Sequence, residues 1–100
     1  MAYAIVHHFP AGTQEQYENS LRAVHPDGGE SLPEGQTLHI AGATDDGGWV
    51  IVAIHEDKGS WERFRDDVLG PGLQGVEGGL QGPPEETGFE VGKQQTTQAP

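Results

Sequence analysis

Six consecutive apolar residues, Trp49 to Ile54, stand between the turn-forming Asp45-Asp46-Gly47-Gly48 and the polar His55-Glu56-Asp57. So short and continuous a run predicts a strand buried on both faces. Side chains alternate along a strand, so Val50, Val52 and Ile54 share one face while Trp49, Ile51, Ala53 and His55 share the other. Both faces then call for cover.

The flanking patterns supply the other elements. Ala2 to Phe9 mixes small, aromatic and β-branched residues before Pro10-Ala11-Gly12, which predicts a first strand and a turn. Thr13 and Gln16 have the spacing of a reciprocal helix cap, and Tyr17, Leu21 and Val24 recur at helical spacing, so a helix runs from Thr13 to about His25-Pro26. Asp27 to Gly35 reads as a surface loop. Gln36 to Gly42 is a second strand, with Leu38 and Ile40 on one face and His39 and Ala41 on the other, joined to the third by an Asp46-Gly47 hairpin turn.

Asp57 is placed to cap a second helix, whose stripe is Trp61, Phe64 and Val68 and whose end is Gly70-Pro71. Gly70 to Gly88 is rich in glycine and proline, yet Leu73, Val76 and Leu80 keep helical spacing, which predicts a short frayed helix or a folded-back loop. Thr87 to Val91 supplies a last strand, and Gly92 to Pro100 is expected to be a mobile polar tail.

The resulting order, βαββαβ, is that of an α+β ferredoxin-like domain over residues 1–91: an antiparallel four-stranded sheet with helices on one face. Two helices cover only one side. Burying Trp49 and Ile51 is worth about 1.5 to 3 kcal/mol each, so a second copy of the chain is expected to close the uncovered face, the one carrying Ile51, and to form the functional cavity there.

Composition narrows the partners. Sixteen acidic residues against five Lys and Arg give a formal net charge of -11, which repels phosphate backbones and anionic head groups, so neither nucleic acid nor a membrane is expected. Cysteine is absent, which removes disulfides, thiolate metal ligands and a cysteine nucleophile. With no basic leader and no apolar run near the roughly 20 residues that span a bilayer, a cytoplasmic location is the expectation.

The pattern His39-Ile-Ala-Gly42, Asp46-Gly-Gly-Trp49, a β-branched strand, Glu56, and Trp61-Glu-Arg-Phe64 with Leu69-Gly-Pro71 resembles small actinobacterial members of the dimeric α/β-barrel superfamily. Ile5-Val-His-His-Phe-Pro10 and Gly12-Thr13 fit the same group. The resemblance spans Ala2 to Val91 and implies two ferredoxin-like sheets packed face to face in a homodimer, with a pocket in each protomer. That superfamily holds antibiotic-biosynthesis monooxygenases, which work without a cofactor, polyketide cyclases, haem-degrading enzymes, haem peroxidases and stress-responsive barrels. Haem is disfavoured here, because the expected axial histidine is missing from Lys58 to Leu69.

Histidines are the main candidates for chemistry. His39 lies mid-strand on the face of Ala41, where a neutral imidazole can take a proton from a phenol or an acidic carbon, so it is the catalytic candidate. The alternative is a half-buried ring bonded to a backbone carbonyl. His7 and His8 point to opposite faces, and alternation with Tyr3 and Ile5 favours His7 as the partner of His39. His55, beside Glu56 and Asp57, reads mainly as structural but is kept with His7, Trp49 and Tyr3 as a substrate-binding candidate. His25, at a helix end before Pro26, needs no functional role.

Neither a metal nor a cofactor is expected, since no His-x-His or Glu-x-x-His is present and a site would depend on tertiary convergence. Trp49, Tyr3, Phe9 and Phe89 could line a cavity for a flat apolar ligand, whereas Asp45 and Asp46 read as turn formers. Glycine-rich residues 70–82 lack the lysine and the strand-helix setting of a nucleotide loop. The functional expectation is therefore a homodimer binding a small apolar or aromatic molecule, a cofactor-independent monooxygenase or cyclase of an aromatic or polyketide-like substrate. The competing expectation is a non-catalytic, stress-responsive dimerisation module with a filled interior.

Overall fold

The computed structural model describes residues 1–81 and 83–97. Strand β1 (Tyr3–Phe9) leads into α1 (Gln14–Val24), β2 (Gln36–Ala43) and β3 (Trp49–His55) form a hairpin, α2 (Lys58–Phe64) follows, and β4 (Glu85–Glu90) closes the sheet. Strand order is β2-β3-β1-β4, with every neighbouring pair antiparallel. The helices lie on one face, the arrangement of a ferredoxin-like α+β domain. Among the described residues no helix is long and apolar enough to cross a membrane.

The barrel implied by the family resemblance is not formed. The sheet is open, with β2 and β4 as free edges, because four twisted strands span too little arc to meet one another. A second expectation also changes. Trp49, Ile51, Ala53 and His55 do not wait for another subunit: register pairs them with Phe9, His7, Ile5 and Tyr3 on the face that the helices cover. The face left open carries Val50, Val52 and Ile54, paired with Leu38 and Ile40 of β2 and with Val6 and Ala4 of β1.

Helix α1 starts as its sequence dictates. The Thr13 hydroxyl accepts from the Gln16 amide at 3.2 Å while the Gln16 side chain accepts from the Thr13 amide at 3.1 Å, which satisfies two of the amides a helix start leaves orphaned. Asp57 caps α2 through the Ser60 amide at 2.7 Å. Beyond Phe64 the chain does not stop at Gly70-Pro71. It passes through one π-helical turn, Arg65–Leu69, in which the Gly70 amide reaches the Arg65 carbonyl, and continues as α3 (Gly70–Leu73). A π turn inserts one extra residue into the helical phase. Val68 is therefore 40 % exposed and Leu69 packs in its place against the Ile5, Trp61 and Phe64 core.

One extra residue also sits in β2. Gln36 pairs with His55 and Leu38 with Ile54, so Thr37 is a bulge, its hydroxyl turned onto the Ile54 carbonyl at 3.2 Å. The bulge resets the alternation. Gln36 consequently shares the helix-covered face with His39 instead of the open face with Leu38 and Ile40.

Residues 74–81 fold back across α1 as a loop, not a helix, tied down by Asn19 to the Gly78 carbonyl at 3.0 Å and by the Leu80 amide to Ser20 Oγ at 2.9 Å. Gly79 permits that approach, since a Cβ there would press on Ser20 Oγ and Val76. Pairing in β4 begins at Glu85, two residues before the expected start, and reaches Val91 through its amide to the Ala2 carbonyl at 2.8 Å. The tail expected over residues 92–100 is coil as far as 97, and its last three residues lie outside the described ones.

The two faces predict opposite responses to one substitution. Ile5→Ala, at a position 2 % exposed, should cost about 2 to 5 kcal/mol. Ile40→Ala, at 58 % exposure, should stay within about 0.5 kcal/mol. Urea unfolding at low micromolar concentration reads both, and comparable losses would reverse the face assignment.

Candidate functional site

A cavity of about 250 Å³ lies between the helix-covered face and the helices. Its apolar wall includes Ile5, Phe9, Leu21, Ile51, Leu73 and Leu80. Ala53 on the sheet face leaves depth beneath the helices that a larger side chain would fill.

On one side the wall is polar. Tyr17 OH stands 2.5 Å from His39 Nε2, and His39 Nδ1 lies 3.1 Å from Gln36 Oε1. Gln36 Nε2 is 3.3 Å from His55 Nε2, and His55 Nδ1 is 3.0 Å from Ser60 Oγ. Tyrosine, two imidazoles, a carboxamide and a serine thus form one unbranched chain of hydrogen bonds from the cavity to α2. His25 meets the His39 ring edge to face, with centroids 4.8 Å apart. Gly35 has a positive φ of 83°, and a Cβ there would collide with Ser60 Oγ, so only glycine lets the β2 approach pass the end of this chain.

Burial keeps the imidazoles neutral. The His25 pKa is lowered from 6.5 to about 4, by desolvation first and by the neighbouring His39 second, against a hydrogen bond to the Ser31 backbone that raises it. Desolvation also lowers His39, and it lowers His55 despite the opposing charge of Asp57. The Tyr17 phenol is pushed upward by burial and then by Glu18, so it stays protonated. Charge is disfavoured at every member of the cluster whose proton affinity is shifted.

The candidate residues divide. His39 and His7 both line the cavity, His7 with its Nε2 held 2.7 Å from Glu86. His8 points to the opposite face, 2.6 Å from Glu85. His55 is fully buried behind Gln36, so it touches the cavity only through that amide. Tyr3 packs on the Ile5, Trp61 and Phe64 core under the Lys58 ammonium, away from the cavity wall. Trp49 is buried against Tyr17, with ring centroids 5.1 Å apart, and its indole N–H has no partner among the described residues.

Tyr17, His25 and Gln36 complete the polar side and escape a reading by pattern. Tyr17 looks like one more stripe residue of α1, His25 like a helix terminus, and Gln36 belongs to the open face unless the bulge is known. A tyrosine on the apolar stripe of a helix that crosses a histidine-bearing strand was the available signal. Among the described residues, no three His, Asp or Glu side chains converge as metal ligands.

The oxygenase or cyclase expectation, which rested on membership of the barrel superfamily, falls with the open sheet. A fused polyketide ring system is also too large for about 250 Å³, a volume below the roughly 300 Å³ at which pockets for drug-sized ligands begin. The competing expectation, a non-catalytic stress-responsive dimerisation module with a filled interior, drew on the same barrel resemblance and loses that support.

The neutral rings make stability depend on acidity. In the unfolded chain His25 takes a proton near pH 6.5, but in the folded chain only near pH 4, so the unfolded state binds more protons between these values. Stability should therefore fall as pH drops through that window. The urea midpoint followed from pH 7 to pH 4 should slope less steeply in His25→Gln, and parallel slopes would remove His25 as the cause. Neither a protein family, a curated protein nor a solved structure matches this chain.

Proposed function

We propose that this chain binds a compact, uncharged, largely apolar molecule in the cavity beneath α1. The observation that carries the reading is the pairing of an apolar interior with one cluster of neutral polar groups, the combination by which small-molecule sites hold and orient a ligand. A dry cavity of about 150 Å³ takes one benzene ring; about 250 Å³ suits one substituted ring or a branched aliphatic of about ten non-hydrogen atoms. Within this reading His39 is a ligand contact through Tyr17, and His7 contributes to the opposite wall. A second cleft, of about 320 Å³ around Gly35, Glu56, Ser60 and Arg63, lacks an apolar lining of this kind.

A second reading has its own observation. The uncovered face carries Val6, Leu38, Ile40, Val50, Val52, Ile54 and Phe89, with Ile40 58 % and Phe89 49 % exposed. Among the described residues, the His8 and Glu85 contact at an end is its one ion pair. A flat, twisted, nearly charge-free surface is matched by another of the same shape, which a second copy supplies. The homodimer belongs to this face and not to the one bearing Ile51.

Titration with p-xylene, followed by amide NMR, should shift resonances around the cavity. Ala53→Leu, which fills the cavity floor, should abolish the shifts with the fold intact; binding that persists, or none in the parent, would overturn the site. Light scattering at tens of micromolar should give twice the 10.7 kDa chain mass, and Val52→Lys should return it to one chain. A parent mass of one chain would remove the dimer.

A further inference from the structure

The hydrogen-bond chain behind the cavity can be polarised in two directions, and the direction decides what the cavity offers a ligand. Gln36 sits between two imidazoles, 3.1 Å from His39 Nδ1 through its oxygen and 3.3 Å from His55 Nε2 through its nitrogen. A carboxamide presents one accepting and one donating end. With the oxygen toward His39, His39 Nδ1 must carry the proton, its Nε2 is a lone pair, and Tyr17 donates to it. Gln36 then donates to His55 Nε2, and His55 Nδ1–H donates to Ser60 Oγ. Turning the amide over reverses every one of these bonds.

The tyrosine end selects between them. A phenol is a strong donor and a weak acceptor, and Tyr17 OH lies within hydrogen-bond reach of the basic His39 Nε2. The reversed chain would need the imidazole to donate to phenolic oxygen and would leave the Tyr17 proton without its partner. The forward chain therefore holds, and it consumes the protons of both Tyr17 and His39. Tyr17 gives its hydrogen to His39, and His39 gives its own to Gln36.

We propose that Gln36 is a positioning residue that sets the Tyr17–His39 corner of the cavity to accept a hydrogen bond, so that a neutral alcohol or phenol is preferred over its carbonyl counterpart. This rests on the cavity being the binding site. At that corner a hydroxyl donates to the Tyr17 oxygen, whereas a ketone places its oxygen against a lone pair and must turn to the Ser20 hydroxyl, whose oxygen already accepts from the Leu80 amide. A protonated amine has donors as well, but entering means losing its water with no unpaired carboxylate on this side to replace it. Carboxylates are excluded on both grounds.

The test has two parts. In ligand-free protein, long-range proton–nitrogen NMR of the imidazoles should find the proton of both His39 and His55 on Nδ1; a proton on His39 Nε2 overturns the proposal. Titration with 1-phenylethanol, acetophenone, 1-phenylethylamine and ethylbenzene, which share one shape, should then favour the alcohol over the ketone by at least about tenfold, the kind of rejection a site built for a hydroxyl shows. Gln36→Glu keeps an acceptor for His39 and should retain the preference while moving the His55 proton to Nε2. Gln36→Leu should lose the preference, with ethylbenzene binding serving as the check on the fold. Equal affinity for alcohol and ketone, or tighter binding of the amine, refutes the ligand class and leaves the site standing; no binding by any of the four refutes the site itself.

Discussion

A carboxamide held between two imidazoles satisfies both only by accepting from one and donating to the other. That constraint at Gln36 orders the interior of this protein: it sets the tautomers of His39 and His55, the direction of the Tyr17 hydroxyl and the role of Ser60. Because His55 is fully buried and His39 lines the cavity, information about which proton sits where passes from the packed core to the ligand space through one side chain. The amide, unlike a carboxylate, achieves this without charge. A carboxylate would accept from both rings, which holds the His39 proton equally well but turns the His55 proton to its Nε2 and buries a charge.

The position of Gln36 depends in turn on a single extra residue. Thr37 bulges out of the β2–β3 ladder, and without it strict alternation would send Gln36 to the open face. The π turn between α2 and α3 does the same service on the helix side, bringing Leu69 inward in place of Val68. Both insertions shift phase without leaving a recognisable composition. This explains what was legible in the chain and what was not. Caps at Thr13 and Asp57, the hairpin after β2 and the alternation that separates His39 from Ile40 are local and could be read directly. Gln36 and Leu69 could not, because their direction is set by hydrogen bonds that cost one residue of register elsewhere.

The assignment of sheet faces is a different kind of failure. Strand β3 is apolar on both sides, so alternation defines two faces but does not say which one the helices take. The distinction lies in side-chain type across strands: Tyr3, Phe9, Trp49 and the rings of His7, His39 and His55 fall on the helix face, and Val6, Ile40, Val50, Val52 and Ile54 on the other. The aromatic rings pack under the helices, while an uncovered or sheet-covered face tolerates β-branched residues in rows. Ala53 beneath the helices, with the loop pinned by Asn19 and Ser20, leaves space for the cavity. The open sheet removes the inherited expectation of a barrel, but the helix-covered face keeps a cavity of its own.

The electrostatics of that interior run against the net charge. A chain at -11 presents a field that favours protonated histidine everywhere, and Asp57 adds to it at His55. Yet the proton affinities of His25, His39 and His55 all move downward, with burial as the leading cause at each. Surface carboxylates act through water and salt, which at physiological ionic strength damp them within about 8 Å. Desolvation acts on the ring itself. Loss of water therefore outweighs the field, and the shifted imidazoles beside the cavity are neutral inside an acidic shell. Under the proposed reading, surface charge turns anions away and the direction of the hydrogen-bond chain chooses among neutral ligands.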